Sequence, residues 1–200
     1  MTWFCAIASW NAWLCLVGWS YHGAVAANYA SLYPERVERL ILSGPMAPSY
    51  SGEAARVLQS RLDPQTISDL MQSPPPDPAA AAKAWRAAVM PGYFADGGAY
   101  ARAFPQPRES DNERMANVSR HLSALTASLS AWDWRSAAAR YGGPVRILHG
   151  QGDFVPLEGS REWERSFPNA RLLVIPNAGH FIWLEQPEPF FGAMEAFLGS

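Results

Sequence analysis

Three residues of this chain have types and settings that could carry out acyl transfer: Ser20, Asp153 and His180. A serine hydroxyl is a poor nucleophile at neutral pH and needs an imidazole to take its proton. The imidazole in turn needs a carboxylate that fixes its tautomer and stabilises its charged form. Ser20 lies in Val17-Gly18-Trp19-Ser20-Tyr21-His22-Gly23, which reads as a small-residue corner between an apolar strand and a helix. At so sharp a corner the serine Oγ is pushed out above the sheet, where a base can reach it. Asp153 ends the loop Gly150-Gln151-Gly152-Asp153, and His180 ends Pro176-Asn177-Ala178-Gly179-His180. Both loops follow apolar strands, and in an open parallel sheet the reactive groups stand beyond the carboxyl ends of the strands.

Other titratable residues read more plainly. His149 closes a strand and is expected to be structural, and His121 falls on a solvated helix face. Asp133 could substitute as the acid, although capping a short helix that stops near Gly142-Gly143 suits it better. For Asp153 the competing role is a turn aspartate, and for His180 a packed loop histidine.

The elements that must position these groups alternate. Trp13–Val17 is continuously apolar, as a strand buried on both faces should be, and Ala24–Ala30 is small and helix-compatible. Tyr33-Pro34-Glu35-Arg36 breaks that helix, and Val37–Ser43 is the next strand, ended by Gly44-Pro45. Residues 48–130 change character to Ala, Pro, Ser and Arg at helical spacing, with no good strand. Asp77-Pro78 predicts an N-cap followed by proline at the first helical position. Ser110–Glu113 predicts a capping box opening a helix with Met115, Val118, Leu122 and Leu125. The aromatics Trp85, Tyr93, Phe94, Tyr100 and Phe104 argue for a folded helical cap rather than a disordered linker. Beyond it, Pro144–His149 and Arg171–Ile175 are strands and Leu157–Phe167 is helical. The last helix, Pro187–Leu198, places Phe190, Phe191, Met194, Phe197 and Leu198 on one face. The pattern predicts an α/β fold: a parallel sheet flanked by helices, its core in 1–47 and 131–200, with a helical cap insertion at 48–130.

Composition excludes several function classes. The chain has 200 residues, is 48% hydrophobic and carries a net charge of −2, which leaves no electrostatic footprint for nucleic acid or an anionic membrane. Cys5 and Cys15 are too few for a disulfide framework and lack metal-ligand spacing, so they are expected to be reduced, buried thiols in a cytoplasmic protein. No uninterrupted apolar run reaches the ~18 residues of a membrane span. Met1–Pro34 contains no Asp, Glu, Lys or Arg, and without a basic start it does not read as a signal peptide.

Taken together, Gly18-Trp19-Ser20-Tyr21, Val37–Ser43, Leu148-His149-Gly150-Gln151-Gly152-Asp153, Asn177-Ala178-Gly179-His180-Phe181 and Glu185-Gln186-Pro187-Glu188 resemble the α/β-hydrolase superfamily. The order Ser, acid, His is that of this fold. The chain most resembles the branch of proline iminopeptidase-like and small-ester hydrolases with a helical cap, over roughly Leu16–Ala47 and Ala131–Leu198. The resemblance implies Ser20 as nucleophile, Asp153 as acid, His180 as base and the Tyr21 backbone N–H as an oxyanion donor. It implies a small-molecule ester or amide substrate, with no cofactor and no metal. Alternatives within it are an aminopeptidase of the proline iminopeptidase type and a catalytically silent remnant or binding module.

The sequence departs from the family pattern twice. His22 stands where the family carries a small residue, and its imidazole is expected to strain the corner or force it open. The family also carries several strands and a His-Gly loop before the serine, and no such loop precedes Ser20. The core is therefore expected to lack its N-terminal half, exposing an edge of the serine strand through which chains could self-associate.

Overall fold

A computed structural model describes residues 14–49, 52–104 and 132–199. Four strands, β1 (Leu14–Trp19), β2 (Val37–Ser43), β3 (Val145–Gly150) and β4 (Ala170–Ile175), form one sheet in the order β1-β2-β3-β4. Every pairing is parallel, with Val17 opposite Ile41, Leu42 opposite Ile147 and Leu148 opposite Leu173. The strands are rich in Val, Ile and Leu, as a sheet covered on its faces requires.

The crossover helices share one face of the sheet, as consecutive crossovers of one hand must. α1 (Tyr21–Leu32) joins β1 to β2 and buries Ala24, Ala27 and Ala30 completely. Glycine is required at Gly18, because a Cβ there would stand 2.6 Å from the His22 carbonyl oxygen and 2.8 Å from Ala26 Cβ. Those small residues let α1 lie close to β1. α6 (Arg135–Ala138) precedes β3, and α7 (Leu157–Ser166) joins β3 to β4. Their Ala138 and Trp163 complete a core with Leu40, Leu42, Val145 and Ile147. After β4 the chain turns to the opposite face. There the short α8 (Ile182–Glu185) and α9 (Pro187–Leu198) pack Ile182, Phe190 and Phe197 against Ile41, Leu148 and Ile175.

Between β2 and β3 lie α2 (Glu53–Ser60), α3 (Pro64–Gln72), α4 (Pro78–Val89), a 3₁₀ turn at Met90–Tyr93 and α5 (Gly97–Ala103). Asp77 caps α4 by accepting from Ala80 N–H at 2.7 Å, and Asp63 caps α3 from Thr66 N–H at 3.0 Å. Each cap precedes a proline at the first helical positions. The helix expected after Ser110, with His121, lies outside the described residues, as does Cys5. Among the described residues no helix is long and apolar enough to cross a membrane.

Four expectations need correction. β1 is not buried on both faces: Leu14 and Leu16 are half-buried, whereas Cys15 and Val17 are exposed. Leu16 packs toward the α1 core, while the α9 cluster reaches only as far as Ile41. Cys15 is accordingly an exposed free thiol rather than a buried one. On α9, Phe190 and Phe197 are buried, but Phe191 is 48% and Leu198 42% exposed, so the buried stripe is narrower than the apolar one. Finally, α6 ends at Ala138, and Asp133 sits one residue ahead of its cap position. It accepts from Arg135 N–H at 3.1 Å and also pairs with the Arg135 guanidinium.

Candidate active site

β1 delivers Ser20 at its carboxyl end with φ 56° and ψ −127°. A positive φ is uncommon for a residue with a Cβ. Among the described non-glycine residues it recurs only at Asn177. The backbone holds it there: Ser20 N–H donates to the Ser43 carbonyl at 2.9 Å, and the Ser20 carbonyl accepts from Gly23 and Met46 N–H, each at 3.0 Å. Ser20 occupies the N-cap of α1, yet its hydroxyl makes no capping bond. Serine at that position ordinarily turns its Oγ back onto the helix amides. Tyr21 follows as the first residue of α1, where a backbone N–H has no intrahelical acceptor.

The strain expected from His22 is absent. Its φ is negative, it lies within α1, and its side chain is exposed beside the Tyr21 ring. The close approaches at this corner are made by Gly18 and Gly23 instead: a Cβ on Gly23 would stand 3.0 Å from Pro45 Cβ.

The loops after β3 and β4 bring Asp153 and His180 together. His180 Nδ1 lies 2.9 Å from each carboxylate oxygen of Asp153, and both side chains are essentially inaccessible to solvent. A carboxylate only accepts, so the ring donates through Nδ1–H, and in the neutral ring Nε2 is then the acceptor. Asp153 Oδ1 also accepts from Val155 N–H at 2.9 Å. The His180 ring is enclosed by Trp19, Phe154 and Tyr93, with centroids at 5.0, 4.7 and 5.6 Å. Trp19, the neighbour of Ser20, donates its indole N–H to the His180 carbonyl at 3.1 Å, so the serine corner and the histidine loop are directly joined.

His149 is buried, with Nδ1 2.8 Å from Ser160 Oγ and Nε2 3.1 Å from the Val155 carbonyl oxygen. Burial holds its pKa below the ordinary histidine value. The Tyr93 hydroxyl is pushed up, chiefly by burial and then by the charge of Asp153. Among the described residues no group of three or more His, Cys, Asp and Glu is placed to hold a metal ion.

Several residues at the site were not singled out from the sequence as functional. Gly44, at φ 46°, lies against the Asp–His pair: a Cβ there would stand 2.8 Å from Asp153 Oδ2 and 3.2 Å from His180 Nδ1. A glycine closing a strand before proline is its only local signal. Glu185 accepts from Gly179, Ala95 and Asp96 N–H, and Arg61 donates to the Gly152 and Asp153 carbonyls. No local pattern marks Arg61, because its partners are distant in sequence.

A family model for the alpha/beta hydrolase fold matches residues 1–187. The chain belongs to the α/β-hydrolase family. This α/β hydrolase is 30% identical over 178 residues to the pimeloyl-(acyl-carrier protein) methyl ester esterase of Aromatoleum aromaticum, a match spanning 86% of this chain and 68% of that protein. It is 26% identical to the 2-hydroxymuconate semialdehyde hydrolase of Pseudomonas putida, over 92% of this chain and 62% of that protein. Among solved structures, an alpha/beta hydrolase enzyme from a Medee basin deep-sea metagenome library superposes with a TM-score of 0.68 at 18% identity. That superposition covers 96% of this chain and 66% of the other. The chain thus spans about two thirds of the length of the relatives it matches.

Proposed function

We propose that this α/β hydrolase cleaves carboxylic esters of small molecules through Ser20, His180 and Asp153. The observation that carries the reading is the buried contact of His180 Nδ1 with both oxygens of Asp153, in a loop tied to the serine corner. In this reaction His180 Nε2 takes the Ser20 proton as Oγ attacks the carbonyl carbon. The resulting oxyanion is met by the Tyr21 N–H, and the protonated imidazole then gives its proton to the leaving alcohol. A water, deprotonated by the same imidazole, releases the acid from the acyl-serine. Asp153 stays ionised throughout and stabilises the imidazolium. We read the 48–130 segment as a cap over this site; among its described residues, the Tyr93 ring stands beside that of His180, with centroids 5.6 Å apart.

An ester is favoured over a peptide because the relative matched at 30% identity is an esterase by name. An exposed free thiol at Cys15 suits a reducing, cytoplasmic setting.

A fluorophosphonate probe tests the assignment. It is expected to label the wild-type chain and to leave Ser20→Ala unlabelled, with hydrolysis of a short p-nitrophenyl ester lost in parallel. Labelling that survives in Ser20→Ala would remove Ser20 from the role. A wild-type chain that neither labels nor turns over would favour a silent binding module.

A further inference from the structure

The short segment Gly92–Asp96 crosses both reactive loops at once. The Tyr93 carbonyl accepts from His180 N–H at 2.7 Å. Under the segment lie two glycines that could not carry a side chain. A Cβ on Gly179 would stand 2.5 Å from the Tyr93 carbonyl oxygen and 2.6 Å from Ala95 N, and a Cβ on Gly152 would stand 2.7 Å from Ala95 Cβ. Gly152 precedes Asp153 and Gly179 precedes His180, so the segment is pressed against the residue next to each reactive group.

Its two ends are pinned by opposite charges. At one end the Arg61 guanidinium, from just beyond α2, donates to the carbonyls of Gly92 at 3.3 Å, Gly152 at 2.7 Å and Asp153 at 2.9 Å. At the other, Glu185 of α8 accepts from Gly179 N–H at 2.6 Å, Ala95 N–H at 2.9 Å and Asp96 N–H at 3.4 Å. A cation gathers two carbonyls of the acid loop, and an anion takes one amide of the histidine loop, that of Gly179. Each residue also holds its own end of the segment.

We infer that Gly92–Asp96 is a strap that sets the position of His180 against Asp153, and that Arg61 and Glu185 are positioning residues acting through it. The inference rests on the roles proposed above for His180 and Asp153. Arg61 serves by its planar fork, which reaches several carbonyls at once, and lysine offers only a point charge. Glu185 serves by having two acceptor oxygens, one on the loop and one on the strap. A glutamine keeps one oxygen and turns an NH₂ toward an N–H donor. Neither side chain is deeply buried, so Arg61→Lys and Glu185→Gln are expected to fold.

A strap transmits between its ends, whereas two separate staples do not. Amide hydrogen exchange of the full chain distinguishes them without any reaction taking place. Arg61→Lys is expected to speed exchange at Gly179 and His180, which Arg61 does not touch, by about tenfold. Glu185→Gln is expected to do the same at Gly152 and Asp153. Probe labelling at Ser20 is expected to slow roughly tenfold to a hundredfold in each single variant. The double variant is expected to slow no further than the worse single one, because both act on one element. Exchange confined to each variant's own loop, with labelling losses that multiply, would overturn the strap. If the wild-type chain does not label at all, the serine reading fails and the exchange pattern still decides for or against the strap.

Discussion

Ser20 holds a backbone conformation that costs about 1–3 kcal/mol for a residue with a Cβ. Three backbone hydrogen bonds on its own N–H and carbonyl sustain it. In this conformation the hydroxyl makes no capping bond to the helix that follows. Gly44 has the complementary task of keeping space clear beside the Asp153–His180 pair. Gly44→Ala combines a positive φ with a Cβ 2.8 Å from Asp153 Oδ2, so it is expected to lower stability by about 1–3 kcal/mol and to slow probe labelling. Denaturant melts and labelling rates check both, and unchanged labelling would show that the pair tolerates displacement. His149 makes a pH prediction. Its folded pKa lies below the ordinary 6.5 because burial disfavours the charged ring. As pH falls through that value the unfolded chain binds a proton that the folded chain refuses, so its contribution to stability is present above it and lost below. The melting temperature is expected to fall between about pH 7 and about pH 5, and to fall less in His149→Asn. That Ser20, Asp153 and His180 each stand beyond the end of a strand was legible in the sequence, because apolar runs and small-residue loops are local signals. Gly44 and Arg61 were not, since their importance lies in contacts made across the fold.

The elements show where periodicity informs and where it stops. Pro187–Leu198 and Val37–Ser43 form at the limits expected from their residues. Proline at the first turn and a β-branched, aliphatic run are local signals. How much of each face is buried is not local. Phe190 and Phe191 are neighbours on the same apolar helix, yet one is 5% and the other 48% exposed. The difference is made by the residues opposite: Phe190 joins the buried cluster with Ile41, Leu148 and Ile175, and Phe191 does not. Phe190→Ala is therefore expected to cost about 3–5 kcal/mol, through lost contacts and a cavity. Phe191→Ala is expected to stay within about 0.5 kcal/mol. Equal losses from the two would mean that Phe191 is covered in solution. His22 teaches the same lesson: the family pattern made it an intruder, but α1 points it outward, and Gly18 and Gly23 make the close contacts.

At the scale of the molecule, a group of exposed apolar side chains among the described residues lies on β1 and α1. Among the described residues β1 pairs only with β2, and α1 lies over one of its faces. The outer side of α1 carries Val25, Tyr29 and Leu32, with Tyr33 just after it, spaced at i, i+4, i+7 and i+8 and between 37% and 53% exposed. On the other face of β1, Val17 is 41% exposed and Cys15 is also open. None of these residues is charged, and exposed apolar patches of this kind mark interaction surfaces. We propose that chains self-associate through this region, burying the exposed apolar side chains of α1 and β1. Each large apolar side chain taken out of water contributes about 1.5–3 kcal/mol. Placing a charge at two of them should therefore weaken association by roughly a hundredfold or more, at about 1.4 kcal/mol per factor of ten. Sedimentation velocity over a concentration series is expected to show the wild-type chain associating and Val17→Lys/Leu32→Lys remaining monomeric. Both positions are open to solvent, so the substitutions are expected to leave the melting temperature nearly unchanged. A wild-type chain that stays monomeric throughout, or a double variant that associates as before, would move the contact elsewhere.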